Sequence, residues 1–130
     1  MDVKYINPFI QSLMNTVEMM LGVTPAMQAP YVKEDKVTQG DITGIIGFAE
    51  RNITGSVALS FPSVTALNVY EMMTGEAVTE INRDVQDSIG ELANIVAGGA
   101  KTELAKMGLS FHISIPSVIV GKNHAITHKV

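Results

Sequence analysis

The chain has 130 residues, enough for one domain spanning 1–130, and 46 % of them are apolar against 17 % charged, which excludes a disordered chain. The net charge of −4, the small aromatic content and the absence of tryptophan disfavour a nucleic-acid or single-strand binding surface, which needs a basic, aromatic footprint. There is no cysteine, so disulfides, cysteine-based zinc sites and a cysteine nucleophile are excluded. The first residues, MDVKYINPFIQS, do not read as a secretory signal, and no apolar run approaches the length of a membrane span. The expectation is a cytoplasmic protein, and its low charge fraction points to some apolar surface covered by another chain.

INPFIQSLMNTVEMMLG predicts a first helix. Asn7 would cap it, Pro8 would stand at its first position, Phe9, Ile10, Leu13, Val17, Met20 and Leu21 recur at helical spacing, and Gly22 would end it. VTPAMQAPYVKEDKV reads as a loop running into a short or irregular strand, with KEDK solvated. GDITGIIGFAE and ITGSVALSFP read as strands joined by a hairpin at ERN; in the second, Val57, Leu59 and Phe61 alternate with Ala58 and Ser60. SVTALNVYEMMTG predicts a second helix closed by Gly75, and a third runs from about Asn82 to Met107 with Gly108 as its stop.

LSFHISIPSVIVGKNHAITHKV returns to strand character, Phe111, Ile113 and Ile115 alternating with His112 and Ser114, and GKN reads as a turn. Helix-then-strands occurs twice, a pattern that suggests internal pseudo-duplication. The fold class expected is α+β, an antiparallel or mixed sheet with two long helices packed on one side.

The third helix contains DSIGELANIVAGGAKTEL. On a wheel, Val85, Ile89, Leu92, Val96, Ala100, Leu104 and Met107 make a core stripe. Asp87, Glu91, Asn94 and Gly98, spaced by four, three and four, form one ridge on roughly the opposite face. Taken alone, a Glu and an Asn on an outer helix face signify only solvation. The adjacent Gly98 and Gly99 change the weighing, because each glycine in a helix interior costs about 1 kcal/mol relative to alanine. Gly98 clears space beside Asn94, where another molecule can approach; Gly99, to the side, reads as a packing glycine. An amide donates to and accepts from one water at once, whereas an ionised Glu only accepts and suits a partner's Lys or Arg. Both project from a helix rather than line a pocket, which suits chemistry carried out inside another protein's site.

DSIGELANIVAG resembles the signature of the CheC/CheX/FliY family of chemotaxis phosphatases: Asp or Ser, three residues, Glu, two residues, Asn, then a proline farther along, here Asp87, Glu91, Asn94 and Pro116. GGAKTELAKMG, NPFIQSLMNTVEMMLGV and GDITGIIGFAERNITGSVALSFP are also similar to CheX proteins, so the resemblance covers nearly the whole chain. CheC and FliY typically carry two signatures. Here the first helix has Asn15 and Glu18 but no Glu three residues before an Asn, so the single site is CheX-like.

The resemblance implies a CheC/CheX-like fold and hydrolysis of the aspartyl phosphate of a CheY-type response regulator. It further implies Glu91 docking on the partner's active-site lysine, Asn94 orienting the attacking water, and Asp87 and Gly98 in partner binding. Mg²⁺ is expected in the partner receiver domain and no cofactor in this chain; the assembly expected is a homodimer joined through its sheets. CheX proteins usually continue into a further strand region, whereas this chain ends at Val130. A non-catalytic receiver-binding or structural module of a chemotaxis or flagellar assembly is the alternative. His112, His124 and His128 lack converging metal-ligand spacing, and Met19, Met20, Met72 and Met73 read as core filler. GGAKT has the wrong spacing for a phosphate loop.

Overall fold

The computed structural model describes residues 3–22, 40–51 and 53–121. The segment expected as a loop and irregular strand, with its KEDK stretch, lies outside the described residues, as do Lys122 and Asn123 of the GKN turn, His124 and His128. Helix α1 (Val3–Leu21) leads to strands β1 (Ile42–Glu50) and β2 (Ile53–Phe61). Helices α2 (Ser63–Thr74) and α3 (Arg83–Lys106) follow, then short strands β3 (His112–Ile113) and β4 (Ser117–Val120).

β1 pairs antiparallel with β2 over its whole length, from Ile42 opposite Phe61 to Glu50 opposite Ile53. On its other side it pairs antiparallel first with β3, at Phe48 and Ala49, and then with β4, from Ile42 to Ile45. The described sheet is therefore antiparallel throughout, with β1 at its centre. Strand periodicity points Ile42, Ile46 and Phe48 to one face, where they are buried. α3 lies across that face, and α1 packs on α3. Ile42 belongs to one buried cluster with Val85, Ile89 and Leu92 of α3 and Ala66, Val69 and Tyr70 of α2. Ile46 clusters with Ala93 and Ala97, and Phe48, Leu104 and Phe111 form a third buried cluster.

Several sequence expectations change in the folded chain. α1 starts at Val3, so Pro8 is inside the helix and not at its first position, and Asn7 is not a cap. A proline there removes one hydrogen bond to the preceding turn. The turn ahead of it is held by packing: Tyr5 and Phe9, four residues apart, lie against the Phe48–Leu104–Phe111 cluster, with the Phe9 and Phe48 rings 5.3 Å apart. The methionines are not mainly core: Met19, Met20 and Met72 are exposed, and only Met73 of the four packs against the core. Met107, placed in the α3 stripe, is 46 % exposed because the helix ends at Lys106 and the chain turns away at Gly108. The alternation after Phe111 fails at Ile115, which is exposed where Ser114 and Pro116 interrupt the strand.

The helix ends follow local chemistry. Gly22, Gly75 and Gly108 all take positive φ just past their helices. Asn82 caps α3, its Oδ1 accepting from Val85 N at 3.0 Å. α2 begins after Pro62, which supplies no side-chain cap. Asp41 supplies one instead: its Oδ2 accepts from both the backbone N–H and the hydroxyl of Ser63 at 2.9 Å. The Asp41 backbone also donates to Phe61 O and accepts from Gly121 N.

Candidate functional site

The site begins with the burial of one side of α3. Val85, Ile89, Leu92, Val96, Ala100 and Leu104 are buried, and so are Ala93 and Ala97 on the flank facing β1. With that side fixed against the sheet, helical geometry turns Asp87, Glu91 and Asn94 outward, and all three are exposed. Residues three and four apart on a helix stand about 5–6 Å apart at Cβ, so the three side chains make one continuous ridge. Among the described residues, the Asp87, Glu91 and Asn94 side chains have no hydrogen-bond or ion-pair partner. A donor–acceptor amide and a carboxylate are thus presented on a rigid, 24-residue helix with their bonding capacity open.

The two glycines divide as their positions on the wheel imply. Apart from its chain neighbours and the backbone of its own helix, a Cβ on Gly98 would meet nothing within 4 Å among the described residues, so the position beside Asn94 is open. A Cβ on Gly99 would collide with the hydroxyl of Ser12, which lets α1 and α3 come together. Ser12 is buried and donates from Oγ to Val96 O at 2.6 Å; Thr16 donates from Oγ1 to Ser12 O at 2.7 Å. Between the helices runs a groove of about 380 Å³ whose lining includes Ser12, Met19, Ile95, Gly98 and Thr102.

Pro116 stands on the other flank. A Cβ on Gly90, next to Glu91, would lie 3.1 Å from Val118 Cγ2 and 3.9 Å from Pro116 Cγ. The proline of the signature therefore packs beside the turn of helix that carries the glutamate. The connection before it is tied to β1: Ser114 N donates to Gly47 O, and Ser114 Oγ accepts from Gly47 N, both at 2.9 Å. Ile115, between these two anchored residues, is 88 % exposed, and Met19, bordering the groove on the opposite flank, is 86 % exposed. In the sequence, Ile115 belongs to a strand alternation and Met19 reads as core filler. The signals that could have marked them are an apolar residue next to the signature proline and a methionine on the polar side of α1.

Neither the ridge nor its surroundings form a metal centre: among the described residues, no group of three His, Cys, Asp or Glu side chains is placed to hold an ion. His112 is exposed, opposite Ala49 in the β1–β3 pairing. No described helix is long and apolar enough to cross a membrane.

Residues 42–130 match the family model described as chemotaxis phosphatase CheX. The CheY-P phosphatase CheX of Thermotoga maritima is 31 % identical over 124 residues, covering 95 % of this chain and 79 % of that protein. The crystal structure of a CheC-like superfamily protein from Shewanella sp. PV-4 superposes with a TM-score of 0.93 at 38 % identity, over 100 % of this chain and 84 % of that one. A CheX–CheY–BeF3–Mg²⁺ complex from Borrelia burgdorferi matches with a TM-score of 0.82 at 29 % identity, over 97 % of this chain and 82 % of that one. With the family model matched from the first strand onward and the signature residues aligned along one exposed helix face, the chain belongs to the CheX family of chemotaxis phosphatases.

Proposed function

We propose that this protein hydrolyses the aspartyl phosphate of a phosphorylated CheY-type receiver domain, using α3 as a tool inserted into the receiver's own site. The observation that carries the reading is the ridge itself: Glu91 and Asn94 are exposed one helical turn apart, without side-chain partners among the described residues, beside the open position at Gly98. The name of the Thermotoga relative and the solved CheX–CheY complex support the same substrate.

In the reaction, water oxygen forms a bond to phosphorus, the bond from phosphorus to the aspartyl oxygen breaks, and inorganic phosphate and a free carboxylate result. Such a transfer needs in-line positioning and charge stabilisation more than covalent chemistry from the protein. Asn94 accepts a hydrogen bond from the water through its carbonyl and donates one through its amide, fixing the water in line with the scissile bond. Glu91 pairs with the receiver's active-site lysine and sets the register of docking. Gly98 admits the receiver surface next to Asn94, and Asp87 extends the contact toward the start of the helix. Mg²⁺ held by the receiver offsets phosphoryl charge; this chain contributes no ligand to it.

The reading includes a cytoplasmic homodimer, displaying two ridges; light scattering at the mass of a single chain would remove the dimer. The decisive experiment follows phosphate loss from a phosphorylated CheY-type receiver of the same organism with wild type and Asn94→Ala side by side. Acceleration by wild type alone supports the mechanism. Equal acceleration by both removes Asn94 from it. Binding by both without acceleration establishes a docking module instead.

A further inference from the structure

The two most exposed of the large hydrophobic side chains in the described chain are Ile115 and Met19; Met19 lines a groove together with Gly98 of the ridge, and Ile115 precedes Pro116, which packs over Gly90 next to Glu91. The two stand on opposite flanks of the ridge. Gly90, which Pro116 overlies, lies on one side of the Glu91–Asn94 line at 3.6 residues per turn; Ile95 and Gly99, which line the groove with Met19, lie on the other. Ile115 is also held in place. Ser114 is hydrogen-bonded twice to Gly47, and Pro116 packs over Gly90, so the residue between them is presented outward by a fixed connection. Met19 projects from a helix joined to α3 through Ser12 and Val96.

A large apolar side chain left in water forgoes the stabilisation that burial would bring. Two of them bracketing a pair of polar groups that have no partner among the described residues give the anatomy of an interface, with polar groups that fix orientation and apolar contacts that supply affinity. Resting on the phosphatase reading above, we propose that Ile115 and Met19 are apolar docking contacts that grip the receiver domain on either side of the Glu91–Asn94 pair, setting its affinity rather than the rate of the chemical step. The occupant is the receiver, because any body that brings its phosphoryl group to Asn94 must cover the flanks of a ridge one helix wide.

The test measures phosphate release against concentration of the phosphorylated receiver for wild type, Ile115→Ser, Met19→Ser, Ile115→Leu and Met19→Leu. In parallel, binding is measured to the same receiver treated with beryllium fluoride and Mg²⁺. Both positions are exposed, so the variants should fold, and their melting curves check this. Each serine variant is expected to raise KM and weaken binding about tenfold, with kcat within about twofold of wild type, as loss of uniform binding requires. Each leucine variant is expected to restore affinity. Serine variants that bind and turn over like wild type overturn the proposal, as does a fall in kcat at unchanged KM. If wild type binds the receiver without accelerating phosphate loss, the phosphatase reading fails while weaker binding by the serine variants upholds the docking contacts. If wild type neither binds nor turns over, both fail.

Discussion

α1 and α3 are two helices written to a similar pattern with different outcomes. Ile10, Leu13, Asn15 and Val17 have the same spacing as Ile89, Leu92, Asn94 and Val96, and Asn15 and Asn94 are both exposed. In α3 the amide is joined by Glu91 and followed by the open Gly98. In α1 the corresponding residues are Ser12, buried against α3 and bonded to Val96 O, and Met19. The Asn15 oxygen is already engaged, accepting from Gln11 Nε2 at 2.9 Å. Under the proposed function, what separates the two asparagines is an acid free of packing, an amide without a partner among the described residues, and room for the other molecule.

The largest expected effect comes from forcing the α3 pattern onto α1. Ser12→Glu puts a carboxylate between two packed helices and removes the bond to Val96 O. Breaking such a buried arrangement costs about 3 kcal/mol or more. Thermal denaturation should show a melting temperature lower by roughly 10 °C for a chain of this size, and phosphate release should reveal no second site. A Ser12→Glu protein as stable as wild type would show that burial is not what separates the two helices.

Next in size, Asn94→Ala should slow phosphate release about 100-fold, or about 2.7 kcal/mol, if positioning of water is its role. Asn15→Ala should leave the rate within about twofold. Loss of activity in both would place the two amides in one function and erase the contrast.

Gly99→Val tests what holds the helices together. Its Cβ falls on the Ser12 hydroxyl, and overpacking of this kind costs about 2 kcal/mol, read from denaturant unfolding. Gly98→Ala should have the opposite sign. With nothing within 4 Å of the new Cβ, it removes a helix-interior glycine and stabilises by about 1 kcal/mol. It should nevertheless lower kcat/KM by crowding Asn94. A stabilised Gly98→Ala protein with undiminished activity would mean that the clearing has no part in docking.

The smallest effect concerns α2, which carries neither amide. Burial, and then the Glu76 carboxylate, push the Tyr70 phenol above its usual 10.0, and its hydroxyl donates to Glu76 Oε2 at 3.4 Å. The folded state holds that proton more tightly than the unfolded chain. The resulting stability is fully present below pH 10 and is lost as pH rises through the raised folded value. Melting temperature above pH 10 should fall less steeply in Tyr70→Phe, with the ridge activity at neutral pH unchanged.

Most of α3 was legible because one periodicity decides both its buried and its open face. Once Val85, Ile89, Leu92 and Val96 are assigned to the core, Asp87, Glu91 and Asn94 have nowhere to go but out. The β1–β2 hairpin was legible for the same reason at period two. Errors arose where a distant contact overrode a local signal. Pro8 lies inside a helix because Tyr5 and Phe9 find partners on β1 and beyond α3. Ile115 leaves the strand pattern because Ser114 and Pro116 are anchored to elements far away in the chain. The flanks of the ridge come from α1 and from the β3–β4 connection, and no spacing within α3 could specify them.

Asp41 couples three elements that are separate in the chain. α2 starts without a cap of its own, and the carboxylate that satisfies Ser63 stands 22 residues earlier, ahead of the hairpin. Because Asp41 is itself bonded through its backbone to Phe61 at the end of β2, the cap on the first turn of α2 depends on the hairpin being formed. The same residue's carbonyl receives Gly121, so the end of β4 is registered against the residue that opens the hairpin. The start of α2 and the end of β4 are thus tied to the same hairpin residue. Hydrogen exchange should find the amides of Ser63 and Gly121 opening together with the hairpin as one cooperative unit, not fraying separately.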